Sequence, residues 1–95
     1  MPQIRLTAAA VADLRELMLT HELPPNTPER VARRLHPLQR FPKLGPALGG
    51  QWAGARYVLG PWRWLLIVYE YDVPTDTVVV LTMQDARGAT SPTNE

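Results

Sequence analysis

Arg56 and Arg63 are the residues of this sequence whose type and spacing point most directly to chemistry. Each guanidinium is a planar, permanently charged fork suited to phosphate and carboxylate, and it also stacks on bases. If the turn between their strands has two or four residues, Val58 faces Arg63 across the ladder. Arg56 then lies on the same face, a diagonal neighbour ~7–8 Å away. Two forks so placed can straddle one phosphate, or stabilise the charge that grows during phosphodiester cleavage. An odd-length turn shifts the register, and Gly60-Pro61 does not decide between them. Arg87, after the last strand, can join the cluster or pair with Asp85. The competing reading is that all three arginines are solvated or bonded to nearby carboxylates.

A second group of cations, Arg30, Arg33, Arg34 and Arg40, surrounds one helix. It can grip phosphates, or it is a solvated face balanced by Glu22 and Glu29. Tyr57 or Trp62 can stack on a base, although tryptophan in a chain this size is most simply a core anchor. His21 and His36 fall near helix ends without a carboxylate or serine at triad or metal spacing, so both read as non-catalytic. The glycines from 45 to 60 precede a strand and no Gly-Lys-Ser/Thr follows them, which excludes a phosphate-binding loop. There is no cysteine, hence no disulfide and no thiolate site; no metal or cofactor is expected. A general base is missing from this set, since arginine stays protonated.

The elements that must position these residues follow from periodicity. Gln3 to Leu6 alternates as a short strand, and Thr7 reads as the cap of a helix ending near His21 with Val11, Leu14, Leu17 and Met18 inward. Pro24-Pro25 breaks the chain, Thr27 caps a second helix with Pro28 at its first position, and Val31, Leu35 and Leu38 continue the stripe. Pro37 predicts a kink or a 3₁₀-like turn reaching Phe41. Residues 42 to 54 form a glycine- and proline-rich loop anchored by Leu44, Leu48 and Trp52. The period then becomes two. Strands are expected over Ala55–Leu59, Trp62–Asp72 and Thr77–Met83, the middle one apolar enough at Trp64–Val68 to be covered on both faces. The order β-α-α-β-β-β with short turns predicts an α+β fold, a helical hairpin on a small antiparallel sheet.

With 95 residues the chain is expected to hold one domain over 1–87, with 88–95 as a flexible tail. The net charge of +1 does not by itself mark a nucleic-acid binder, although nine of the ten basic residues are arginine and Lys43 is the exception. A high-GC genome gives the same bias. No stretch approaches the ~20 apolar residues of a membrane span and no signal-peptide pattern opens the chain, so a cytoplasmic protein without a membrane partner is expected.

Taken in order, several stretches resemble a known family. These are Leu6-Thr7 with the first helix, Pro42-Lys43-Leu44-Gly45, Ala55 to Leu59, Trp62-Arg63, Tyr69-Glu70, and Val78 to Leu81 followed by Arg87. Together they resemble the RelE/ParE superfamily of bacterial type II toxins along nearly the whole chain. The resemblance implies a cognate antitoxin as partner. It also implies one of two activities: RelE-like cleavage of mRNA on the ribosome, or ParE-like poisoning of DNA gyrase without nuclease residues. An inactive antitoxin-binding module is a third reading. On the first, Arg56, Arg63 and Arg87 are the catalytic candidates, and Arg33, Arg34, Lys43 and Tyr57 bind RNA. Two departures stand out. Arg63 and Tyr69 are six residues apart where the family usually has three, which predicts a longer hairpin or a shifted register. The tyrosine, histidine or lysine that RelE-like nucleases tend to carry after the last strand has no counterpart beyond Arg87.

Overall fold

A computed structural model describes residues 1–88; the rest of the expected tail, 89–95, lies outside the described residues. The elements are β1 (Gln3–Leu6), α1 (Ala8–Thr20), α2 (Thr27–Leu35), β2 (Arg56–Leu59), β3 (Leu65–Asp72) and β4 (Thr77–Asp85). Two 3₁₀ turns, His36–Gln39 and Gly50–Trp52, sit in the long connection from α2 to β2.

Thr7 caps α1 as its residue type suggests, and its hydroxyl also ties the helix to the sheet. Its oxygen accepts the Ala10 N–H (3.1 Å) and its hydroxyl donates to the Leu81 carbonyl (3.1 Å). The buried stripe is Ala10 and Leu14, flanked by Leu17 and Met18, whereas Val11 is 38% exposed. Leu14, Leu17 and Met18 thus face inward as expected, and Ala10 rather than Val11 completes the stripe. Asp13, beside it, reaches β4 and accepts from the Thr82 hydroxyl (2.5 Å) and the Met83 N–H (3.2 Å).

Asn26, not Thr27, holds the cap position of α2. Thr27 is the first helical residue, fully buried, and donates its hydroxyl back to the Pro24 carbonyl at 2.6 Å. Pro28 remains in the first turn, where its missing N–H has no helical acceptor to lose. Val31 and Leu35 are buried, and the 3₁₀ turn at Pro37 carries Leu38 into the same core.

The sheet order is β1-β4-β3-β2. The antiparallel meander β2-β3-β4 is as expected, while β1 joins β4 in parallel, so the sheet is mixed. Central β3 is covered on both faces, with Leu65 to Tyr69 all buried. Leu65, Ile67 and Tyr69 face the helices with Val78, Val80 and Met83. Leu66 and Val68 face the other way, under Leu48, Trp52 and Tyr57. Leu44, expected as an anchor, is 57% exposed.

Val68 pairs with Thr82 but Tyr69 with Val80, so Leu81 is an extra residue in β4. Such a bulge reverses the phase of the strand. Val78 and Val80 face the helices before it, and Met83 does so after it. Asp85, two residues on, is thereby aimed to the side of α1.

Candidate nucleic-acid interface

Arg56 opens β2 opposite Tyr69. Its Nη1 donates to the carbonyls of Gly45 (2.8 Å) and Lys43 (3.3 Å), while the Tyr69 hydroxyl oxygen accepts the Gly45 N–H (3.0 Å). Burial raises the Tyr69 pKa above that of an ordinary phenol, opposed by the Gly45 N–H and the Arg56 charge. Arg56 thus holds the 43–45 segment against the sheet.

Arg63 is not on the ladder. Gly60 N–H donates to the Leu65 carbonyl (2.8 Å), closing a turn of Pro61, Trp62, Arg63 and Trp64. The turn has four residues, but it lies further along the chain than Arg63 on the ladder requires. Ile67, not Arg63, faces Val58, so the register does not make Arg56 and Arg63 diagonal neighbours. The physical reason is burial. This register places Leu65, Leu66 and Ile67 in the two cores, at ~25 cal/mol per Å² of apolar surface, and leaves the exposed Arg63 at the turn tip. The position three before Tyr69 is the buried Leu66.

What gathers around that turn comes from four parts of the chain. The Trp62 and Trp64 rings stack at 6.1 Å with 20° between planes. Arg30 of α2 lies over Trp62 (4.6 Å) and Arg87 over Trp64 (5.3 Å). His21, capping the C-terminus of α1, stacks on Trp64 at 4.3 Å. Arg34 Nε donates to the Gly60 carbonyl (3.2 Å), and Ala86 N–H to the Trp64 carbonyl (2.7 Å), fixing the turn from both sides.

Asp85 is the hub. It accepts Arg87 Nε (2.9 Å), Arg87 Nη2 (2.8 Å) and the Arg87 backbone N–H (2.9 Å), and lies 3.6 Å from His21 Nε2. The Arg87 guanidinium holds the Asp85 carboxyl down at about 2 against an opposing effect of burial, and His21 adds slightly to the lowering. The same pair raises the Arg87 pKa.

Of the residues singled out in the sequence, the fold brings Arg63 and Arg87 to one end of the sheet. Arg56 is committed to the 43–45 loop. Tyr57 faces the opposite side beside Val68, and Arg33 and Lys43 are exposed on α2 and the loop. Sequence reasoning missed His21 and Asp85 as partners and Trp64 as their platform. No local spacing announces them, because the bulge at Leu81 and the length of α1 bring them together. Among the described residues, no group of three or more His, Asp or Glu is arranged to hold a metal ion. No helix there is long and apolar enough to cross a membrane.

The arrangement is a column of two stacked indoles, faced by Arg30 on Trp62 and by Arg87 and His21 on Trp64. Guanidinium planes take bases by stacking, and their forks take phosphates.

No protein-family model and no curated protein sequence matches the chain. Solved structures do. The RelBE2 toxin–antitoxin complex of Mycobacterium tuberculosis matches at a TM-score of 0.67 and 27% identity, covering 90% of this chain and 99% of that one. The chromosomal ParDE system of P. aeruginosa matches at 0.67 and 14% identity, covering 90% and 96%. The intact E. coli RelBE complex matches at 0.69 and 13% identity, covering 93% and 100%. With its helical hairpin on a mixed four-stranded sheet and these neighbours, the chain has the fold of the RelE/ParE-type toxins.

Proposed function

We propose that this chain is the toxin of a toxin–antitoxin pair and that it stops growth by cutting messenger RNA on the ribosome. The observation that carries the reading is the cation–aromatic ladder at one end of the sheet, Arg30 over Trp62 and Arg87 over Trp64, with Arg63 between the indoles in sequence. A splayed base can stack on the Arg30 guanidinium plane beside Trp62 while its phosphate meets Arg63. The RelBE2 match, at 27% identity over nearly the full length of both chains, supports the toxin–antitoxin part of this reading. A cognate antitoxin is the expected partner, since two neighbours that cover 90% and 93% of this chain are toxin–antitoxin complexes. The ribosome and gyrase are both cytoplasmic, so either target places the toxin there.

One observation favours the second reading, a gyrase inhibitor without catalysis. Asp85 neutralises Arg87, and the position three before Tyr69, where the family usually carries arginine, is the buried Leu66. Expression without the partner gene separates the two. Broken mRNA with intact chromosomes, lost in Arg63→Ala, supports cleavage; DNA breaks and relaxed supercoils with intact mRNA support gyrase. Unimpaired growth overturns both.

A further inference from the structure

The cleavage reading lacks a group that can accept a proton near neutral pH, and the fold brings one to the site from outside the strands. We propose that His21 is that group. Its Nδ1 takes the 2′-hydroxyl proton while the 2′-oxygen forms its bond to the adjacent phosphorus. The P–O5′ bond then breaks, and the departing 5′-oxygen takes a proton from water. The imidazolium returns its proton to solvent, leaving a 2′,3′-cyclic phosphate and a 5′-hydroxyl end. The inference rests on the nuclease reading above.

Two contacts define the imidazole. Trp64 stacks on it at 4.3 Å and sets the plane of the ring. Asp85 Oδ2 lies 3.6 Å from Nε2, which favours the tautomer with the proton on Nε2 and stabilises the imidazolium once formed. Arg87 holds that carboxylate on its other side, so Asp85 stays ionised at any pH at which the toxin works. Nδ1 makes no hydrogen bond among the described residues, and the side chain is 30% exposed. The charged groups around it are Asp85 and Arg87 from the end of β4, with Glu22 next in the chain. The arginines of the ladder stay protonated and cannot serve as base. His36, the other imidazole, lies in the 3₁₀ turn after α2 and contacts none of these residues among the described contacts.

The test uses full-length toxin with ribosomes and a defined mRNA, comparing the wild type with His21→Gln, Asp85→Asn, and His21→Ala with or without free imidazole. General-base catalysis contributes typically ~10²–10⁴-fold. His21→Gln is expected to cut at least about a hundredfold more slowly while co-sedimenting with ribosomes as the wild type does. Imidazole restores part of the rate to His21→Ala. Asp85→Asn is expected to slow cleavage while leaving ribosome binding as in the wild type. Cleavage by His21→Gln at the wild-type rate overturns the inference and leaves the nuclease reading standing. Equal losses of cleavage and ribosome binding, without imidazole rescue, make His21 structural and also overturn it. A wild type that cuts no mRNA removes both the inference and the reading beneath it.

Discussion

Asp85 couples the charges of the site, and its ionisation makes a pH dependence that can be signed. The carboxyl lies at about 2 in the folded chain against 3.8 for an unperturbed one. A depressed carboxyl stabilises the fold fully above its unfolded value, and that stability disappears as the pH falls through the folded value. The pair is largely solvent-facing, with the Arg87 side chain 64% exposed, so the effect is expected to be small. Denaturant titrations should show wild type more stable than Asp85→Asn at about pH 6, with the gap closing near about pH 2. At the loop, Gly45 is a residue whose size alone matters. A Cβ there would stand 2.0 Å from the Tyr57 carbonyl oxygen and 3.1 Å from the Tyr69 hydroxyl. Gly45→Ala must push the loop off Arg56 and Tyr69, and is expected to cost about 3 kcal/mol by chemical denaturation.

Two devices set the placement of elements. Asp13 fastens α1 to β4 through Thr82 and Met83, and α1 in turn carries His21 to Asp85. Asp13→Ala leaves a buried backbone N–H without its carboxylate, a loss of about 1.5–3 kcal/mol. Hydrogen exchange at Met83 should accelerate by about tenfold or more in that variant. The bulge at Leu81 sets which way the end of β4 faces. Deleting Leu81 removes the extra residue and restores strict alternation, leaving Met83 opposite Ile67 and Asp85 opposite Leu65 on the side of α1. The expected result is a fold in which the His21 imidazole signals still respond to Asp85→Asn, read by NMR. Loss of that response would show that the end of β4 needs the bulge to keep its face.

The whole molecule has 95 residues and two thin cores, one under the helices and one under the 47–57 segment. A domain of this size has little stability in reserve, so a partner that binds only the native state matters. An antitoxin at a hundred times its Kd adds about 2.7 kcal/mol. For a chain of this length that raises Tm by on the order of 10–20 °C, a shift that differential scanning calorimetry of toxin alone and in complex measures directly.

Much of this was legible in advance because it rests on local chemistry. Thr7, Pro24-Pro25, Pro28 and Pro37 punctuate helices by their own dihedrals and hydrogen-bonding groups, and the alternation from Arg56 to Asp85 declares strands. Those signals determined the element order, the α+β class and the resemblance built on it. The parallel seating of β1, the turn at 61–64 that takes Arg63 off the ladder, and the bulge at Leu81 were not legible. Each is decided by which of several registers buries the most apolar surface across strands distant in sequence. Arginines at the end of a sheet were a matter of sequence. That Arg56 braces a loop, while Arg87 meets His21 at Asp85 beside Trp64, was decided only by tertiary packing, because residues 66 positions apart share a carboxylate only once the chain has folded.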